Sequence, residues 1–214
     1  MIKKLIVLGT ISSSLFSFAQ EKITIIPAVG YAWRVAKTAP GLSMAEKNYV
    51  KGLKNGIHFE IAAYYNLKNI GIGAKFSNYN ASSSGVLSGY DINGQTVTAS
   101  VSTKDNITFF GPSVMFSNYT KPTNHKLVAD VSLGVITYTT KTAAVKGTGS
   151  NLGLELGAAY QYAVSKNFMI GPKLGITAGT LSKIKVNGQT VDLGDDQKEG
   201  LTRVSLSAAA TFRF

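Results

Sequence analysis

Apolar and polar residues alternate along most of this chain with a period of two. Near the start, Ile23, Ile25, Pro27, Val29, Tyr31, Trp33 and Val35 alternate with Thr24, Ile26, Ala28, Gly30, Ala32 and Arg34. The same rhythm runs through Ile57–Leu67, Ile70–Ser77, Leu127–Val135, Leu152–Tyr162 and Phe168–Thr177, and through the end, LTRVSLSAAATFRF. Alternation of this kind places one set of side chains on each face of a β-strand. An eighth strand near Ile107–Ser117 is less regular. Either Phe110, Pro112, Val114 and Phe116 form its apolar face, or Ile107, Phe109 and Met115 do, with a bulge switching between them.

The connections between these strands alternate in length. Short ones fall at 66–69, 120–125 and 164–167; long ones span about 36–55, 79–105, 141–150 and 181–200. Two of the long connections contain the same pentapeptide, Asn-Gly-Gln-Thr-Val, at Asn93–Val97 and Asn187–Val191. Asn-Gly is the favoured two-residue hairpin turn because both positions need positive φ. Asn93-Gly94 and Asn187-Gly188 are therefore expected to be hairpin tips, the repeat being turn chemistry used twice.

The last strand carries Val204, Leu206, Ala208, Ala210, Phe212 and Phe214 on one face, so the chain stops on an aromatic of its apolar side. Here the sequence resembles the small bacterial outer-membrane β-barrels, the group of the OmpA transmembrane domain, OmpX and OmpW and related bacteroidete-type barrels. The resemblance implies an all-β fold: an eight-stranded antiparallel up-and-down transmembrane β-barrel with short periplasmic turns and long outer hairpin loops. It also implies that Phe212 and Phe214 serve as an assembly signal for the barrel-assembly machinery. The small, Gly- and Ser-rich polar face suits a narrow lumen. The apolar face, with Tyr65, Tyr160, Tyr162, Phe212 and Phe214 at one end and Tyr31 and Trp33 at the other, suits lipid and its interfaces.

Composition agrees with this. The chain is 44% hydrophobic and only 15% charged, with 22 Gly and no Cys. A basic start (MIKK), a short apolar run and Ser17-Phe18-Ala19 read as a secretory signal peptide over 1–19, leaving one barrel domain at 20–214. Without Lys3 and Lys4 the net charge falls from +11 to +9. Nucleic acid is not expected as a partner of an exported barrel.

Seven charges fall on the inward face: Arg34, Glu60, Lys75, Asp130, Glu155, Lys173 and Arg203. An eight-stranded barrel is about filled by its own side chains, so these are expected to form an internal ion-pair network. Hairpin spacing suggests Glu60 against Lys75 and Glu155 against Lys173, with Arg34 and Arg203 each reaching a carboxylate. Loop lysines Lys37, Lys47, Lys51, Lys54, Lys141 and Lys146 are candidate contacts for lipopolysaccharide, an anionic surface. The reading is a monomeric integral outer-membrane protein with a structural or surface-interaction role. The alternative is a narrow conduit for small solutes or small hydrophobic molecules. A lipid A-modifying enzyme has little support: His58 shares a face with Glu60, but a triad is recognised only by geometry. No cofactor or metal is expected, since two separated His and no Cys make a poor ligand set.

Overall fold

The computed structural model describes residues 22–36, 38, 40–90, 92–194 and 198–214. The expected signal peptide and Lys37 lie outside the described residues. The elements are β1 (Ile23–Arg34), α1 (Met44–Leu53), β2 (Asn55–Leu67), β3 (Ile70–Tyr90), β4 (Thr96–Ser117), β5 (His125–Thr142), β6 (Val145–Ala163), β7 (Phe168–Leu181), β8 (Lys183–Val186), β9 (Gln189–Asp192), β10 (Glu199–Gly200) and β11 (Arg203–Arg213). β1 to β7 and β11 pair in antiparallel succession, and β11 closes the ring by pairing with both β7 and β1. The small strands β8, β9 and β10 belong to the outer connections.

A path of directly paired residues runs from Thr24 through Tyr64, Gly73, Ser113, Ser132, Glu155, Thr177 and Arg203 and returns to β1 at Arg34. The circuit finishes ten residues beyond its start, Thr24 to Arg34. This stagger tilts the strands by about 40° and fixes a bore narrow enough for side chains to fill.

Side-chain direction follows the alternation. Leu152 and Phe110 are 68% and 62% exposed on the outside, whereas Ile107, Phe109 and Ile136 are fully buried inside. A broad apolar surface turned outward on a closed barrel is the arrangement lipid requires, since it leaves no backbone group unpaired within the sheet. The ambiguous strand is settled by this rule. Phe110, Pro112, Val114 and Phe116 face out, Ile107, Phe109 and Met115 face in, and the pairing with β5 keeps one register from Thr103 to Ser117, so no bulge is needed.

Several expected loops are instead strand. The connection placed at 141–150 shrinks to a turn at Ala143-Ala144, with Ala143 at φ 50°, because β5 and β6 stay paired as far as Thr142 and Val145. β3 and β4 run out together to Tyr90 and Thr96, well beyond the last β5 partner, Thr142 opposite Thr103. The outer end of this hairpin is thus a two-stranded ribbon. The first Asn-Gly lies in a longer connection between Tyr90 and Thr96 rather than a two-residue turn, and among the described residues there Gly94 has positive φ, at 76°, whereas Asn93 does not. The second forms the tight turn: Asn187 and Gly188 have φ of 47° and 93°, and Val186 pairs with Gln189.

Loop 1 carries a helix that the alternation did not reveal. Ser43 caps α1 through a capping box with Glu46, a device that satisfies two free helix-end donors. Ser43 hydrogen bonds hold the Glu46 carboxyl below its usual range. α1 rests on the inner face of the β3–β4 ribbon: Tyr49 bonds Thr103 and packs against Gly85, and the Tyr79 hydroxyl donates to Leu53 O at 2.9 Å.

Candidate functional site: the lumen charges and the outer rim

Inside the barrel the side chains stack in three layers. At the short-turn end Ile26, Tyr64, Met115, Tyr119 and Met169 form an apolar cluster. At the outer end Tyr79, Ile107, Phe109, Ile136, Leu181 and Leu201 form another. Between them lie Glu60, Lys75, Asp130, Glu155, Lys173 and Arg203, each 3% exposed or less. Three cations face three carboxylates, so the layer is neutral overall.

Its connectivity crosses the bore. Lys173 on β7 binds Glu60 on β2 and reaches Asp130 on β5 at 2.7 Å. Lys75 on β3 binds Asp130 and stands 3.5 Å from Glu60 and 3.6 Å from Glu155. Glu155 accepts hydrogen bonds from Ser77 (2.6 Å) and Thr177 (2.8 Å), and Arg203 lies 3.6 Å away while donating to Ser77 at 3.0 Å. Buried ions need partners, and each ion of the layer has at least one, while Glu155 Oε1 and Arg203 Nε and Nη1 make no hydrogen bond among the described residues. The hairpin pairing of Glu155 with Lys173 is a correction: register sets Glu155 opposite Thr177 and Lys173 opposite Ala159, so Lys173 turns to carboxylates across the lumen. Glu60 sits opposite Ser77 and meets Lys75 diagonally. His58 is 1% exposed, with Nε2 3.8 Å from Glu60 Oε2.

Arg34 belongs to a separate cluster at the outer mouth. It binds Asp105 (3.2 Å) and Glu199, donates to Gly200 O at 2.7 Å and lies over the Tyr138 ring, 5.6 Å to its centre. Asp105 and Glu199 were placed in loops by the sequence pattern. Two further inward cations, Lys126 and Arg213, were also missed, and lie near the short-turn end, each 6% exposed.

The candidate surface lysines divide into two groups. Lys47 and Lys51 are exposed on α1, whereas the Lys54 ammonium is held within loop 1 by Ala36 O and the Thr38 hydroxyl. Burial and the neighbouring Arg34 pull the Lys54 pKa below the usual lysine range. Lys141 and Lys146 stand directly opposite each other on β5 and β6, and Lys104 on β4 stands opposite Lys141. All three are exposed on the outward face.

The row lies six residues beyond Phe110, Val135 and Leu152, which are themselves paired and turned outward. At about 3.3 Å per residue and a tilt of about 40°, that is roughly 15 Å above the apolar band. Thr108, Asn106, Thr137, Thr139, Ser150 and Thr148 fill the interval. At the other end of the band Tyr65, Tyr160, Tyr162 and Phe212 are exposed, and His125 bonds and stacks on Tyr160. Tyr31 and Trp33 meet edge to face at the outer end, 5.3 Å between centres. Aromatic belts at two levels mark the two interfaces of a membrane.

A closed eight-stranded barrel, an apolar outer band between aromatic belts, short turns at one end and long hairpins at the other together define an integral outer-membrane β-barrel, with the architecture of the small bacterial barrels of that membrane. Solved structures agree on the fold. A neisserial surface protein, NspA, is 12% identical over 91% of this chain and 98% of its own, with a TM-score of 0.55. A major outer membrane protein of Thermus thermophilus is 14% identical over 90% of this chain and 99% of its own, with a TM-score of 0.54. No protein-family model and no curated protein sequence matches the chain.

Proposed function

We propose that this barrel is closed to solutes and works at the cell surface, holding the phosphorylated glycolipid of the outer leaflet through its outer rim. The observation that carries the reading is the row Lys104–Lys141–Lys146. Like charges directly opposite in a sheet repel, and the flanking outward positions Ser82, Asn106, Thr139 and Thr148 are neutral. The row therefore favours an anion at its level, above the acyl chains, where lipopolysaccharide carries phosphate. Lys47 and Lys51 on α1 are secondary contacts in the same reading, and the β3–β4 ribbon is the part that projects furthest from the barrel wall.

The test is lipopolysaccharide binding by refolded protein in neutral detergent. Each lysine near an anionic membrane surface contributes about 1 kcal/mol, so Lys104→Gln, Lys141→Gln and Lys146→Gln together should weaken binding by roughly a hundredfold. Unchanged affinity in a folded triple variant sinks the reading.

The two apolar layers that flank the charged one support the reading of a lumen closed to solutes. Refolded protein in planar bilayers should show no discrete channels, and Glu60→Gln should not create them, because the layers above and below remain. Stable unitary conductance in the wild-type protein would favour the conduit instead.

A further inference from the structure

The lysine row borders a depression of about 380 Å³ on the outward wall, where β3, β4 and β5 meet beside Ile57 of β2. Two rungs of directly paired residues cross it. The upper rung is Ser82–Lys104–Lys141 and the lower rung is Asn80–Asn106–Thr139. They lie two residues apart on each strand, which is about 7 Å.

The two rungs differ in chemistry. Lys104 and Lys141 give the upper rung two exposed cations side by side, with the Ser82 hydroxyl next to them. The lower rung is neutral, and its amides are held in one orientation. Asn106 donates through Nδ2 to Asn80 Oδ1 at 2.7 Å, and Asn80 donates through Nδ2 to Asn78 Oδ1. Each Nδ2 carries a second hydrogen, and the Asn106 carbonyl oxygen is an acceptor that this chain of bonds leaves unused. Thr139 adds a hydroxyl opposite Asn106. Asp105 also borders the depression, but its carboxylate is buried and bound to Arg34.

We infer that this depression binds a phosphorylated sugar; this rests on the reading of the lysine row as a glycolipid contact. A phosphate on the upper rung meets two ammonium groups, and charge-assisted bonds of that kind are the stronger ones. The sugar ring then lies across the lower rung, where amides and a hydroxyl both donate and accept, as ring hydroxyls and an acetamido group do. The spacing of the rungs suits a ring and the phosphate attached to it, and the volume is that of a small-ligand site. Lysines alone would take any anion. The amide rung adds a preference for the sugar, because a site that hydrogen-bonds hydroxyls discriminates against a ligand that lacks them.

Amide chemical shifts of Ser82, Lys104, Asn106 and Lys141 test this in refolded full-length barrel in zwitterionic micelles. The anomeric phosphate of N-acetylglucosamine is titrated against inorganic phosphate at matched ionic strength. The sugar phosphate is expected to bind about tenfold more tightly. Asn80→Ala with Asn106→Ala should bring its affinity down to that of inorganic phosphate and leave phosphate binding unchanged; both side chains lie on the outer surface, so the fold is retained. Lys104→Gln with Lys141→Gln should weaken both probes about tenfold or more. Equal affinity for the two probes in the wild-type protein, a preference untouched by the asparagine variant, or no saturable shift with either probe overturns the sugar site. Lipopolysaccharide binding separates that failure from failure of the underlying reading. If it still depends on the three lysines, only the sugar site falls; if it does not, the reading falls as well.

Discussion

Replacing Lys173 by Met should cost the folded barrel about 3–5 kcal/mol, read as a lowered urea midpoint and a lower temperature for the gel-mobility shift of the refolded protein. The side chain binds two carboxylates at once, Glu60 and Asp130, at 3% exposure. Met fills much of the same volume, so the loss reports charge rather than a cavity. Lys75 still serves both carboxylates but cannot neutralise both and Glu155 together. Adding Glu60→Gln to Lys173→Met should recover much of the loss, since Lys75 and Arg203 then face Asp130 and Glu155 and the layer is again neutral. A loss below about 1 kcal/mol for Lys173→Met alone would mean that the network contributes little to stability.

The second large effect is expected at Gly73. This residue faces the lumen opposite Tyr64, and a Cβ there would run into the carbonyl oxygen of Ala63 and lie 2.8 Å from Tyr64 Cα. Both obstacles are backbone of the neighbouring strand, which the barrel's closure holds in place. Gly73→Val should therefore destabilise by more than about 3 kcal/mol or prevent folding, with the protein remaining in the unshifted gel band. Gly89→Val on the outer ribbon, where a Cβ meets nothing within 4 Å, is the matched control and should fold normally. Folding of Gly73→Val with wild-type stability would show that β2 and β3 can separate more easily than their register suggests.

The lipid-spanning strands were legible in the sequence because one face is apolar and the other is not. Above the membrane that contrast disappears. Outward Ser82, Ser84, Ser102 and Lys104 alternate with inward Ala81, Ser83, Thr103 and Asp105, polar against small or polar, and no period-two signal survives. For that reason the outer parts of β5 and β6 and the 79–85 and 102–105 stretches of β3 and β4 read as loops, and Asp105, the partner of Arg34, went unnoticed; the far arms of the β3–β4 hairpin were expected as strand from the Asn93-Gly94 tip. Lys126 was hidden differently, in the first residues of β5 beside a polar turn. α1 had a local signal, the Ser43-x-x-Glu46 capping box, but only ten residues of mixed composition behind it.

The middle-layer charges were each placed on the inward face, yet their partners were not readable from hairpin spacing. Neighbouring strands decide which residues stand side by side in the wall, whereas a long side chain in a narrow bore meets the opposite wall. Lys173 and Glu60 are 113 residues apart, and only the complete circuit of registers brings them together.

The seam between the first and last strands carries a condition on the order of assembly. Arg34 of β1 and Arg203 of β11 are directly opposite where the ring closes. Two like charges meet there, and each is offset by acids from elsewhere: Asp105 of β4 and Glu199 for Arg34, Glu155 of β6 for Arg203. Sealing the ring before β4 and β6 are in register would bring the arginines together without those acids. The last joint to form is thus favoured only when the intervening wall is already correct, which makes the seam a checkpoint on the fold.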